Sequence, residues 1–304
     1  MILVTGSAGL IGTAVLGLLA EAGIAARGFD MREDAAQDTR NSSALAEALD
    51  GATGVVHLAA VSRVVWAQND PDLTQQVNVE ALRSLIGLMQ DSPLSPWLIF
   101  ASSREVYGEQ ARLPVVEDDP LEPLNTYARS KVAGEEQTAA ARGGGMRAQT
   151  VRFSNVYGST ADHEDRVVPA FARTAALGGE LRIDGSENLF DFTHVDDAAL
   201  GLFKAIVAMI EGRDLPSIHF LTGKGTTLGE LAAMAVKEAR RPVTLREAPP
   251  RRFDVARFVG DPSRARELLG WEAKIPVEAG FARLVDDFAK LAEADGAPAV
   301  ASAR

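Results

Sequence analysis

Thr5-Gly6-Ser7-Ala8-Gly9-Leu10-Ile11-Gly12 is the stretch from which the rest of the chain is read. Met1-Ile2-Leu3-Val4 precedes it, an apolar run with the length of a buried strand. Thr13 to Ala22 follows it with apolar residues at helical spacing. In a strand, glycine turn and helix, one glycine makes a tight turn. Another admits the backbone close to a pyrophosphate, and a third lets the helix pack on the strand. The helix start then offers unpaired N–H groups and a partial positive charge to phosphates. The spacing G-x-x-G-x-x-G departs from the commoner G-x-G-x-x-G, and a glycine triplet alone would mark only a sharp turn. The flanking strand and helix favour a dinucleotide cradle.

Further along, Ile24 to Phe29 reads as a second strand that ends in Asp30. A carboxylate there accepts hydrogen bonds from ribose hydroxyls and repels a 2′-phosphate, which argues for NAD over NADP. Arg32 pulls the other way, since an arginine could meet that phosphate. A third strand, Thr53 to Ala60, runs into small residues that leave room for a ligand. Its His57 reads as a packed, hydrogen-bonded histidine. Asp70 to Gln90 reads as a long helix with Pro71 in its first turn. Pro96 to Ala101 is a fourth strand with Ser102-Ser103 at its end, Asn125 to Arg142 a helix, and Arg147 to Phe153 a fifth strand. This alternation predicts an α/β fold with a doubly wound parallel (Rossmann) sheet, and ligands outside the carboxyl ends of its strands.

Beyond Ser154 the pattern changes to short strands (180–183, 218–221, 243–245) between helices (167–177, 195–210, 228–238). The expected organisation is a dinucleotide-binding domain over 1–155, with 187–221 returning to it. A smaller α/β substrate-binding lobe takes 156–186 and 222–292, and an Ala-rich tail over 293–304 frays.

The composition of the 304 residues narrows the function. A net charge of −11 repels a phosphate backbone, so no nucleic-acid partner is expected. There is no cysteine, hence no disulfide and no thiolate chemistry. The four histidines show no metal-ligand spacing. No apolar run approaches the about 18 residues of a membrane span, and the N-terminus shows no basic segment or cleavage site. A soluble, cytoplasmic protein is expected.

Tyr127 and Lys131 lie four apart on a helix and share a face. A tyrosine with a pKa near 10 is a poor base at neutral pH. A nearby ammonium and an oxidised nicotinamide both favour the phenolate. Tyr127 could then remove a proton from a substrate hydroxyl while hydride leaves the same carbon, with Ser103 bonded to the same oxygen. Alone, Y-x-x-x-K could be an ordinary exposed helix. Here it follows a cofactor turn and a strand-end serine.

With those pieces in order, the chain resembles an extended short-chain dehydrogenase/reductase of the NAD-dependent nucleotide-sugar epimerase/dehydratase group, like the UDP-glucose 4-epimerases. Matching segments run from Gly6-x-x-Gly9-x-x-Gly12 through Asp38-Thr39-Arg40-Asn41, His57-Leu58-Ala59-Ala60, Asn78-Val79, Val106-Tyr107-Gly108, Tyr127-x-x-x-Lys131, Arg152-Phe153-Ser154-Asn155-Val156-Tyr157-Gly158 and Asp191-Phe192-Thr193-His194-Val195-Asp196-Asp197 to Leu269-Gly270-Trp271. The resemblance implies a Ser103, Tyr127 and Lys131 triad. It implies NAD held by Gly6, Gly9, Leu10, Ile11, Gly12, Asp30, Asp38, Thr39, Leu58, Ala59, Ala60 and Asn78, with Tyr127 and Lys131 also reaching the cofactor. Asn155 would bind the substrate's phosphate or sugar, and Arg251 and Asp254 match a stretch that grips a nucleotide diphosphate. A homodimer pairing the helices that end near Gln90 and Arg142 is implied as well, with Leu82, Leu85, Ile86 and Met89 as an apolar stripe that in part faces the sheet.

Two departures stand out. The family usually has Arg just before the Asp-Phe of its late strand, where this chain has Phe190. After Ser103 come Arg104-Glu105, where simple 4-epimerases tend to have small residues, the dehydratases Asp-Glu and the decarboxylases Ser-Glu. Glu105 thus matches a group that does acid–base work in those relatives. Arg104 cannot donate a proton usefully, and it could meet the carboxylate of a uronic acid. Alternatively the two form an exposed ion pair worth little. The expected reaction is 4-epimerisation of a UDP-hexose or UDP-uronic acid through a 4-keto sugar. The alternatives are a sugar dehydrogenase or reductase, a decarboxylase or dehydratase using Glu105, and a non-catalytic NAD-binding regulator.

Overall fold

In a computed structural model, residues 1–250 and 255–294 are described. Apart from the edge strand Ala26–Phe29, the strands of the glycine-turn half are short and almost wholly buried, as parallel strands covered on both faces must be. Along the chain they alternate with helices: β1 (Ile2–Thr5), α1 (Leu10–Glu21), β2 (Ala26–Phe29), α2 (Ser42–Ala48), β3 (Gly54–His57), α3 (Val64–Asn69), α4 (Pro71–Gln75), α5 (Ala81–Gln90), β4 (Trp97–Ser103), α6 (Thr126–Gly143) and β5 (Ala148–Phe153). Then follow β6 (Asn155–Tyr157), α7 (Val167–Leu177), β7 (Gly179–Asp184), β8 (Leu189–His194), α8 (Val195–Ile210), β9 (Ile218–Phe220), β10 (Gly225–Thr227), α9 (Leu228–Lys237), β11 (Val243–Ala248), α10 (Ser263–Leu269) and α11 (Val277–Ala294).

The central sheet is six-stranded and parallel, in the order β2-β1-β3-β4-β5-β9. Strand order reverses beside β1, so the glycine turn after β1 and the loops after β3 and β4 open together at the carboxyl edge. That is where an open α/β sheet binds its ligand. Residues 187–221, expected in the first domain, divide. Helix α8 packs against α1, and β9 extends the central sheet. By contrast β8 is the middle of a three-stranded sheet, β10-β8-β6, and β11 pairs with β7. A separate core of Phe171, Phe190, Phe192, Leu231, Phe281 and Leu284 joins α7, α9 and α11 to those small sheets.

Two local devices position the site. Gly134 on α6 faces Phe100 of β4, and a Cβ there would lie 2.3 Å from the ring. The missing side chain lets the helix with Tyr127 and Lys131 settle onto the sheet. Between α4 and α5 the expected long helix carries a π turn, Gln76–Glu80. It aims Asn78 inward, and Leu82, Leu85, Ile86 and Met89 are buried in the subunit's own core with Leu3, Val55 and Leu98. That corrects the expected apolar dimer stripe: the sheet uses all of it. No described helix is long and apolar enough to cross a membrane.

Candidate active site

A cleft of about 440 Å³ joins the glycine turn to the second lobe. Gly6, Gly9, Leu10, Ile11, Gly12, Leu58, Ala60, Tyr127 and Lys131 line it, as do Ser103, Arg104, Glu105 and Asn155.

The turn fits a dinucleotide. Helix α1 starts at Gly9 with no side-chain cap and no acidic residue in its first turn, so its end N–H groups stay available. Gly6 has φ +71°, and a Cβ on it would lie 2.7 Å from the Ala59 nitrogen. At Gly12 a Cβ would lie 2.3 Å from the Gly6 carbonyl oxygen. Asp30 braces the turn, its carboxylate accepting from the Ala8 N–H at 3.0 Å and from the Arg32 backbone N–H at 2.9 Å. Arg32 also turns its guanidinium onto Asp30, 3.4 Å away.

Asp30, Asp38, Thr39, Ala59 and Asn78 are not among the residues that line the cleft. Asp38 is clasped by Arg40, whose hydrogen bonds hold its carboxyl below the usual range. Asn78 accepts from the Val61 N–H at 2.8 Å and donates to the Val61 carbonyl at 3.2 Å and to Ser130 Oγ at 2.9 Å. It ties the loop after β3 to α6. Arg251 and Asp254 lie outside the described residues.

Ser103, Tyr127 and Lys131 come together from the end of β4 and one face of α6. Ser103 and Tyr127 face the same cleft, and Lys131 Nζ donates to the Ala101 carbonyl at 2.8 Å. Burial pushes Tyr127 up to about 12, against the opposing influence of Ser103 and the charges of Arg166 and Arg104. Burial also pulls Lys131 down to about 8, with Glu135 opposing. Lys131 was expected to lower the tyrosine, but here the lowering charges are Arg166 and Arg104, and burial outweighs them. His57 is packed, 2.8 Å from Thr5 Oγ1, and burial drives it down to about 3, so it stays neutral.

Arg104 and Glu105 are not exposed: both side chains are 8% accessible, with Arg104 Nη2 2.7 Å from Glu105 Oε1. Arg104 Nε donates to Asn155 Oδ1 at 2.7 Å. The other Glu105 oxygen accepts from Asn125 Nδ2 at 2.9 Å, and Asn125 also caps α6 through the Ala128 N–H. Both oxygens of Glu105 are thereby engaged.

Sequence reasoning missed Arg63 and Arg166, which line the cleft from opposite lobes. Arg63 reaches Asp165 at 2.8 Å, and Trp66 on α3 meets His163 edge-on with ring centroids 4.7 Å apart. The only local signal was a cation inside the apolar run Val61-Ser62-Arg63-Val64-Val65. No group of three or more metal-ligating side chains occurs among the described residues.

Comparison with known proteins agrees with this geometry. The chain matches the model of the NAD dependent epimerase/dehydratase family over residues 2–216. A UDP-glucose 4-epimerase of Mycolicibacterium smegmatis is 29% identical over 309 residues, covering 94% of this chain and 97% of that protein. One from Lactobacillus helveticus is 28% identical over 237 residues, 72% of each. MoeE5 in complex with UDP-glucose and NAD superposes with a TM-score of 0.87 at 26% identity, over 96% of this chain and 99% of that one. MoeE5 with UDP-glucuronic acid and NAD gives 0.85, with the same identity and coverage. With the family model matched over well more than half its length, the chain is an enzyme of the NAD dependent epimerase/dehydratase family.

Proposed function

We propose that this enzyme is a 4-epimerase of a UDP-linked hexose or hexuronic acid, working through a transient 4-keto sugar. The observation that carries this reading is the convergence, in one cleft, of the phosphate-binding turn with Ser103, Tyr127 and Lys131. Relatives named UDP-glucose 4-epimerase support it. Glu105, the group that would serve a dehydratase or decarboxylase, has both oxygens occupied by Arg104 and Asn125.

In this reading Tyr127 acts as phenolate and takes the proton of the sugar's 4-hydroxyl. Ser103 donates a hydrogen bond to the oxygen that carries the developing charge. Arg166 and Arg104 supply the positive field that favours phenolate over phenol. Bound NAD would accept hydride from that carbon and return it to the opposite face. Tyr127 then gives back the proton it took, so neither oxidant nor base is consumed. Gly6 to Gly12 would hold the dinucleotide phosphates, and Asp30 would meet the adenosine ribose.

The test is incubation of the purified protein with UDP-glucose and UDP-glucuronic acid, following the 4-epimers by NMR and NADH by absorbance. Epimer formation without net NADH is expected. Accumulating NADH would make it a dehydrogenase. Release of CO₂ or water, abolished by Glu105→Gln, would make it a decarboxylase or dehydratase.

A further inference from the structure

The two departures from the family pattern meet in space. The Arg104 guanidinium carbon lies 4.7 Å from the centre of the Phe190 ring and 5.8 Å from that of Phe258. Position 190, where a cation is usual, here supports a cation that enters from the other lobe, one residue after Ser103.

Arg104 is 7% exposed and lines the cleft. Its Nε is spent on Asn155 and its Nη2 on Glu105. Its Nη1 is buried with no hydrogen-bond partner among the described residues. An unpaired donor on a buried cation is costly and calls for a missing partner. The neighbourhood favours an anion. Around the cleft, Arg63, Arg104, Lys131, Arg166 and Arg182 outnumber Glu105, Asp165 and Asp184, and Glu135 behind Lys131 is paired with Arg152.

Its position selects which anion. Arg104 adjoins Ser103, and its charge is felt at the Tyr127 hydroxyl. The group it awaits is therefore carried near the reacting carbon. A guanidinium whose Nη1 still lacks a partner suits a carboxylate better than a hydroxyl. We infer that Arg104, stacked on Phe190, is the specificity-determining residue for a carboxylate on the sugar, so that the preferred substrate is a nucleotide-linked uronic acid. The inference rests on the reading of the cleft as a nucleotide-sugar site.

The test is equilibrium binding of UDP-glucuronic acid, UDP-glucose and UDP to the NAD-loaded protein by calorimetry. UDP-glucuronic acid should bind about ten- to a hundred-fold more tightly than UDP-glucose, the range for a hydrogen bond between charged groups. Arg104→Met combined with Glu105→Gln removes the cation and its counterion together. It should erase that difference and leave UDP affinity unchanged. Arg104→Lys should keep part of it. A wild-type protein that binds the two sugars equally, or favours UDP-glucose, overturns the inference even if no variant folds. So does a double variant that loses all three ligands alike, which would make Arg104 a diphosphate ligand. Preference for the acid without C4 epimerisation would leave this inference standing and sink the proposed reaction.

Discussion

At the scale of single residues, the phenolate that Tyr127 needs as a base is the form its own burial disfavours. The hydroxyl sits at about 12, so a phenolate exists near neutral pH only with help from neighbouring positive charge. Tyr127→Phe should lower turnover about 10²–10⁴-fold, the usual worth of a general acid–base group. NAD should still bind, because the turn proposed to hold its phosphates lies after β1, away from Tyr127. A variant with turnover within about three-fold of wild type would show that another group moves the proton. Arg166 is the second check. Its charge lowers the tyrosine, so Arg166→Met should raise the tyrosine's pKa and move the rising limb of the pH–rate profile to higher pH. An unmoved limb would remove Arg166 from the site. Ser103, Tyr127 and Lys131 were legible in the sequence because strand end and helical spacing put them on facing surfaces. Arg166 was not, because it arrives from the second lobe with no local signature. The pairing of Arg104 with Glu105 was legible, but not its burial, since the covering rings Phe190 and Phe258 are far away in the chain.

At the scale of elements, the glycine turn separates a folding demand from a binding demand. Gly6 and Gly12 are enforced by the turn itself: a Cβ on either would fall within 3 Å of backbone. At Gly9 a Cβ would meet the Gly6 oxygen at 3.0 Å and the movable Arg32 guanidinium at 3.4 Å, a tight but tolerable fit. Gly12→Ala should therefore lower thermal stability sharply. Gly9→Ala should fold and lose NAD affinity, because its Cβ stands where the pyrophosphate approaches. Equal melting losses in both would remove the distinction. The strand–helix alternation of this half was readable from periodicity, whereas β6 and β10 were too short to show one. The π turn was invisible too, since it interrupts the helix without changing its apolar stripe. Assembly belongs to this scale. We propose a homodimer, but with Leu82, Leu85, Ile86 and Met89 buried, any pairing of α5 and α6 between subunits draws on exposed residues such as Arg83, Ser84, Arg129 and Glu136 and on the half-buried Gly87, Leu88, Val132 and Ala133. The charged part of such a contact should weaken in high salt. Light scattering at micromolar concentration checks it, and a monomer at low salt would refute it.

Across the whole molecule, buried ionisable groups set how the fold responds to acid. His57 and His219 are each driven down to about 3 from 6.5 by burial, with the charges of Lys131 and Arg152 adding to it. In the folded state they stay neutral, while the unfolded chain protonates them below about pH 6.5. The unfolded state then binds more protons, so stability rises with pH through this window and is lost as pH falls. Asp191 acts oppositely. Burial raises it to about 6 despite hydrogen bonds from Thr222 and Gly223, so it holds a proton in the folded state that the unfolded chain releases. His163 and His194, also depressed, add to the histidine side, and Glu117, raised by burial, adds to the other. The fully buried histidines outnumber Asp191 two to one. Stability should therefore fall by roughly 1.4 kcal/mol per pH unit or more on acidification between about pH 6 and pH 5. Urea midpoints measured across that range give the slope directly. His57→Gln, which keeps a partner for Thr5 Oγ1 but cannot titrate, should reduce the slope by about one proton's worth, 1.4 kcal/mol per pH unit. A slope unchanged in that variant, or a wild-type protein that gains stability on acidification, would mean that His57 is not held neutral and that the acid response of the fold lies elsewhere.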